Sequence, residues 1–266
     1  ILAVLYWPIL AALVAQWWDD ANYTHGFLVP LFSGFLVWRE RARLTAVVPR
    51  GSLPGLAVLI GGLGILILGN IGAENFLMRA SLIIVLSGLV LFHLGTGVLR
   101  ILFFPLAFLF FMVPLPAVIF YAVTFPLQRL AAENAAWTLD LLGVPVLLDG
   151  NIIHLSQITL GVTEACSGIR SLISLLAGAA AWAYLTLPVG LIAVAFVLSA
   201  IPITIFANAA RVVATGLIGQ WLGVEYASGF FHEFAGLAVY TFALACLAAA
   251  YTLARALGRP AGEPRT

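Results

Sequence analysis

Lysine is absent from this chain: all twelve basic residues are Arg, set against eleven acidic ones, for a formal net charge of +1 over 266 residues. So even a balance gives no cationic surplus for binding nucleic acid. Charge of either sign is scarce, at 9% of residues against 63% hydrophobic, with a mean hydropathy of +1.12. That composition excludes an ordinary soluble domain and indicates an integral membrane protein whose partners are lipids and whatever enters the bilayer. There are two cysteines, Cys166 and Cys246. Cys246 lies about 12 residues into the last apolar run, or ~18 Å along a helix, while Cys166 stands at a rim, so a disulfide between them is not expected. No phosphate-binding loop and no zinc-type cluster of Cys and His occurs, so no cofactor or metal is implied. The chain opens at Ile1 in apolar sequence, and no small-residue cleavage site follows an isolated short apolar region. The first segment is therefore expected to stay as an anchor.

Apolar runs lie near 1–18, 26–38, 53–73, 76–95, 101–122, 168–186, 189–207 and 234–255. Most approach the ~20 residues that a helix needs to span a bilayer. The expected fold class is an all-α polytopic membrane protein of about eight transmembrane helices. It would form one integral membrane domain over 1–255, with a cytoplasmic tail at 256–266. Arg39, Arg41, Arg43 and Arg50 follow the second run, Arg100 follows the fourth, and Arg255, Arg259 and Arg265 follow the eighth. Because short cytoplasmic loops retain basic residues, these are assigned to the cytoplasm, which places 19–25, 123–167 and 208–233 together on the outer side.

The insert at about 123–167 reads as two pieces. Over Phe125–Leu141, apolar Leu127, Leu130, Ala131 and Trp137 interleave with Gln128, Arg129, Glu133, Asn134 and Asp140. That spacing predicts a small extracytoplasmic helix suited to the membrane interface, or a plain amphipathic connector. From Val144 the pattern is extended, with Asp149-Gly150-Asn151 between two apolar runs, a β-hairpin signal. A third extended run, Gln157 to Val162, leads toward Cys166.

Polar chemistry concentrates at a few boundaries of these apolar runs, where it is costly and therefore points to a site. The first is Glu164-Ala165-Cys166-Ser167-Gly168-Ile169-Arg170-Ser171. Cysteine within a membrane helix is ordinarily a small apolar filler, and Cys246 in Ala-Cys-Leu-Ala fits that description. Cys166 differs: it is expected in the first turn of a helix, where the macrodipole and Arg170 one turn on both favour a thiolate. The second is Asn208 with Arg211, between the apolar runs 200–206 and 212–214. Arg211 reads either as a snorkelling anchor or as a planar five-donor fork for a carboxylate or oxyanion. The third is His232 with Glu233 at the start of the last run. A single interfacial His is more often an anchor, yet beside a thiol a neutral imidazole is the usual activator. His93 and His154 lack comparable company.

These elements resemble the exosortase/archaeosortase family of multispanning membrane cysteine transpeptidases. The resemblance rests on 164–171, on Ala-Asn-Ala-Ala-Arg-Val at 207–212 and on His-Glu-Phe-Ala-Gly at 232–236, in that order. Asn22-Tyr23-Thr24-His25-Gly26 is similar to the family's Tyr-Ser-His-Gly element, with Thr in place of Ser, and the likeness extends from about Asp20 to Tyr251. It implies a processing enzyme in the cytoplasmic membrane of a Gram-negative bacterium, with its active site facing the periplasm. Its substrates would be exported proteins bearing a C-terminal Pro-Glu-Pro motif, a membrane helix and a basic cluster. By motif, Cys166 would be the nucleophile, Arg211 the electrostatic stabiliser and His232 the acid/base, with Glu164, Ser167, Arg170, Asn208 and His25 in support. Two other readings stand beside this one. A serine-type intramembrane protease could pair Ser167 with His232, although no Gly-x-Ser-Gly element occurs. A non-catalytic transporter or lipid-binding scaffold would account for the spans, but transporters place polar groups near the midplane and often show repeats, and neither feature is evident here.

Overall fold

The computed structural model describes residues 1–162, 168–223 and 230–257, with side chains from Ala235 onward in the last stretch. Glu164, Cys166 and Ser167 lie outside the described residues, as do the side chains of His232 and Glu233 and most of the expected tail. The chain divides into two compact units, Ile1–Phe120 and Tyr121–Thr266.

In the first unit, α1 (Leu2–Asp19) is followed by a 3-10 turn (Thr24–Phe27), α2 (Leu28–Arg39), a short α3 (Arg41–Ala46), α4 (Pro54–Ile71) and α5 (Asn75–Phe108). Six segments among the described residues are long and apolar enough to cross a membrane, and one of them, Asn75–Met112, carries two of the eight expected spans. The two meet at a kink at Gly95, where the fourth was expected to end and whose non-helical φ of 86° only glycine adopts without strain. The second expected span is α2, only 12 residues long and below spanning length. The fifth was expected to continue to 122. It stops at Met112, because Pro114 and Pro116 in Val113-Pro114-Leu115-Pro116 disfavour helix before them and remove backbone donors, and α6 (Ala117–Leu141) starts immediately after.

The α4–α5 hairpin is built on a stripe of small residues. Gly55, Gly62 and Gly69 recur every seventh position, and a side-chain carbon on any of them would come within 2.9 Å of Phe92, Val85 and Met78 respectively. Close backbone approach of this kind is the usual basis of helix pairing in lipid, where apolar burial gives no net drive. Polar ties hold α1 to α5. Ser81 Oγ donates to the Met78 carbonyl at 2.7 Å, so its contact with Tyr6 at 2.8 Å is a bond donated by the tyrosine hydroxyl. Arg79, only 5% exposed, donates from Nη1 to Gln16 Oε1 at 2.6 Å.

In the second unit, α6 leads into β1 (Val146–Asp149), β2 (Ile152–Leu155) and β3 (Thr159–Gly161), then α7 (Ile169–Thr186), α8 (Leu191–Trp221) and α9 (Phe230–Leu257). The strands form an antiparallel sheet in the order β1-β2-β3, with Asp149 opposite Ile152 and Ile153 opposite Leu160. The hairpin expected at Asp-Gly-Asn is present, with Gly150 and Asn151 as its central pair and Gly150 at a φ of 61°. Asn151 also clamps the third strand: its carbonyl accepts from the Val162 amide and its side-chain amide donates to the Val162 carbonyl, both at 2.9 Å.

The expected interfacial helix begins at Ala117 rather than near 125, and its apolar face turns onto protein. Ala131, Ala132, Ala135 and Leu139 form a core with Ile153 and Leu155 of the sheet, with Val162, and with Val212 of α8. Its other face is exposed and carries the i,i+4 pair Arg129–Glu133 at 2.7 Å. A second core joins Leu175, Ala179 and Ala183 of α7 to Phe196, Ala200 and Ala207 of α8 and to Ala243 and Leu247 of α9. The small residues draw these helices together, and Trp182, Phe196 and Tyr251 pack as a ring cluster within 4.7–6.0 Å of one another.

The main departure from expectation is the length of α8. The apolar run ends near 207, but the helix continues to Trp221, 31 residues in all. That is ~46 Å at 1.5 Å per residue, against ~30 Å of hydrocarbon. Its last third is held by the insert. Val212 and Leu217 pack in the sheet core, a side-chain carbon on Gly216 would touch Leu139, Leu160 and Leu155, and the Gln157 amide donates to Gln220 Oε1 at 3.1 Å.

Candidate active site

The continuation of α8 puts Asn208 and Arg211 inside a helix instead of at its end. Thr204, Asn208 and Arg211 follow an i, i+4, i+7 spacing and share one face. On α9, Gly236, Tyr240 and Ala243 do the same, and His232 occupies the register one turn before Gly236. Those two faces and Ser171 of α7 line a narrow cleft, bounded also by Ala207 and Val239. At one end, the Arg211 guanidinium lies along the α9 backbone: a side-chain carbon on Gly236 would sit 3.7 Å from Nη2 and 3.8 Å from Cζ.

The third motif reaches the same place through Gly168. This residue caps α7 in the left-handed region, with φ 79° and ψ 0°. A side-chain carbon on it would approach Asn208 Cβ and Cγ to 3.2 Å. The described helix begins at Ile169, and the expected position of Cys166 lies outside the described residues. Gly168→Ala is expected to cost about 1–2 kcal/mol from the left-handed backbone alone, with the tight Asn208 contact adding to it. Thermal unfolding in detergent measures this, and an unchanged midpoint would show that the cap relaxes freely.

The remaining supporting residues divide. Arg170 is exposed and does not line the cleft, and the residue of that turn that does is Ser171. Asn208 is 5% exposed and lines it. His25 belongs to the first unit, where its Nε2 donates to the Phe111 carbonyl at 3.1 Å. Burial lowers its pKa from the ordinary value, opposed by backbone carbonyls of Phe111 and Asn22. The neighbouring Gly26 makes room for the Trp17 indole, which a side-chain carbon would meet at 2.4 Å, and Trp17 Nε1 in turn donates to the Met112 carbonyl at 2.9 Å. The His-Gly element thus anchors the 109–112 turn. His154 is taken up in the sheet, with Nδ1 3.2 Å from Thr159 Oγ1. Thr204 and Tyr240 were missed in the sequence, although helical spacing from Arg211 and from Gly236 would have found them. No group of three or more metal-binding side chains occurs among the described residues.

A family model described as transmembrane exosortase matches residues 17–249, a range that contains all four motifs. The chain belongs to the transmembrane exosortase family. No curated protein and no solved structure matches it. As an exosortase with several apolar spanning-length helices, it is a multi-pass membrane protein with a transpeptidase or protease role.

Proposed function

We propose that this exosortase cleaves C-terminal sorting tails of exported proteins at the periplasmic face of the inner membrane, through a thioester on Cys166. The observation that supports the reading is that Asn208, Arg211 and Gly236 line one cleft and that Gly168 packs against Asn208. Cys166 is two peptide units from Gly168, which bounds its Cα within ~7.6 Å of that glycine's. His232 is one helical turn, ~6 Å, from Gly236. Arg211 is near the second anchor, Gly236, and three residues along α8 from Asn208, which packs against the first.

In the proposed reaction the Cys166 thiolate attacks the scissile carbonyl carbon, and the oxygen gains charge that the Arg211 fork stabilises. His232, protonated, gives its proton to the leaving nitrogen as the C–N bond breaks. The upstream fragment is then a thioester and the tail a free amine. An acceptor amine attacks the thioester, loses a proton to His232 and expels the thiolate, while water in the same role gives hydrolysis. The substrates are proteins with a short Pro-Glu-Pro-type motif, a membrane helix and a basic cluster.

The test is capture. Incubated with a reporter carrying such a tail, the enzyme should release the upstream fragment as its hydroxamate when hydroxylamine is added, because a thioester is far more reactive than an amide. Cleavage whose products never incorporate hydroxylamine would overturn the acyl-enzyme.

A further inference from the structure

At one end of the first unit, the stretches 39–52 and 93–100 set five arginines against a single acid, Glu40. Arg43 takes that carboxylate in a 2.8 Å ion pair, and Arg41 packs its guanidinium 4.3 Å from the Trp38 ring centroid. Arg39, Arg50 and Arg100 are exposed, and their side chains have no hydrogen-bond or ion-pair partner among the described residues. The backbone holds them in place. α3 leads from Arg39 to Val47, which a side-chain carbon on Gly97 of α5 would meet at 3.0 Å. The following residues cap the helix half that ends at Gly95: the Arg50 amide donates to the Leu94 carbonyl and the Ser52 amide to the Leu91 and Phe92 carbonyls, each at 3.2 Å. Arg100 stands five residues beyond Gly95, ~8 Å along the helix. Main-chain donors thus satisfy the helix-end carbonyls, and the Arg50 guanidinium is left to its surroundings. Each of the three arginines also stands within three residues of an exposed apolar side chain, Arg39 beside Trp38, Arg50 before Leu53 and Arg100 before Phe103, at 60%, 79% and 68% exposure. Cation beside apolar surface marks a membrane boundary, where one faces headgroups and the other acyl chains.

We propose that Arg39, Arg50 and Arg100 form a binding site for the phosphate of anionic phospholipid headgroups. An acidic polypeptide would match the charge but would leave Trp38, Leu53 and Phe103 without an apolar partner. A zwitterionic headgroup brings no net charge to five cations facing one acid, whereas an anionic surface returns about fivefold in affinity per arginine. The 12-residue α2, which ends at Arg39, is shorter than the hydrocarbon, so the bilayer thins there and brings headgroups to that guanidinium. This site is independent of the chemistry assigned to the cleft.

The experiment uses the full chain in a neutral detergent and reads bound lipid by native mass spectrometry, after addition of phosphatidylglycerol or phosphatidylethanolamine with matched acyl chains. Wild type should hold phosphatidylglycerol about tenfold more tightly or better. Arg39→Gln, Arg50→Gln and Arg100→Gln combined should lower that affinity by ~10² and erase the preference. The same three positions changed to Lys should keep most of it, because an ammonium serves a phosphate as a point charge. Without lipid, the unfolding midpoint should be equal in all three proteins, since these side chains hold nothing within the protein. Phosphatidylglycerol should raise it in wild type and in the lysine variant only. Arg129→Gln, which removes an exposed cation already paired with Glu133, should leave lipid retention unchanged. Equal affinity of wild type for the two lipids overturns the proposal, and so does a triple Gln variant within threefold of wild type or one whose loss follows a lowered midpoint. Displacement of phosphatidylglycerol by an equal concentration of inorganic phosphate would reassign the site to a soluble phosphate. Tighter retention of polyglutamate would reassign it to an acidic polypeptide, and either result ends the lipid reading.

Discussion

Cys166→Ser is expected to abolish processing and to eliminate the covalent enzyme species. Serine keeps size and hydrogen-bonding capacity, so the loss would report nucleophilicity alone. A thiol near pKa ~8.5 is readily ionised beside a base or cation, whereas a hydroxyl is not. With wild type, mass spectrometry should find enzyme carrying the upstream fragment when no acceptor is supplied, and hydroxylamine should discharge it. With Cys166→Ser neither the adduct nor the cleaved tail should be detected. Cys246→Ser provides the contrast: Cys246 is on α9, outside the cleft lining, and its replacement should leave both signals intact. Cleavage by Cys166→Ser at an appreciable fraction of the wild-type rate would end the cysteine mechanism and revive Ser167 as a candidate.

Arg211→Lys is expected to lower the rate by ~10²–10³, although it preserves the charge. The guanidinium packs beside Gly236 of α9, where a side-chain carbon would sit 3.7 Å from Nη2. Its planar fork presents several donors at fixed angles, while an ammonium is a compact, strongly hydrated point charge. If the fork binds an oxyanion formed only in the transition state, the deficit falls on kcat, and KM changes little. An anchor that merely snorkels would tolerate lysine, so turnover within threefold of wild type would reduce Arg211 to that role. Arg211→Gln, which keeps planarity and loses the charge, separates geometry from electrostatics.

Composition and local pattern carried much of the architecture. The hairpin at 149–151 was legible because two extended apolar runs flank turn-forming residues, although the turn pair is Gly150–Asn151 and not the Asp149–Gly150 expected. The spanning helices were legible because lipid demands long uncharged runs. Helix ends were not. A hydropathy window closes where polar residues begin, near 207, but α8 continues because Val212, Gly216 and Leu217 find a partner surface on the sheet and α6. The break before Ala117 escaped the same window, which sees apolarity and not backbone geometry, whereas the interruption at Gly95 falls where the fourth apolar run was expected to end.

The sequence by itself determined the membrane class, the four motifs and their order, since each is written in contiguous residues and needs no distant partner. Only the tertiary structure decided that Gly168 meets Asn208 and Arg211 meets Gly236, and that Thr204 lines the cleft of Arg211 while Arg170 does not. Contacts between α7, α8 and α9 depend on which small residues allow close approach over separations of tens of residues. That packing is a property of three faces taken together, and no single stretch of the chain contains it.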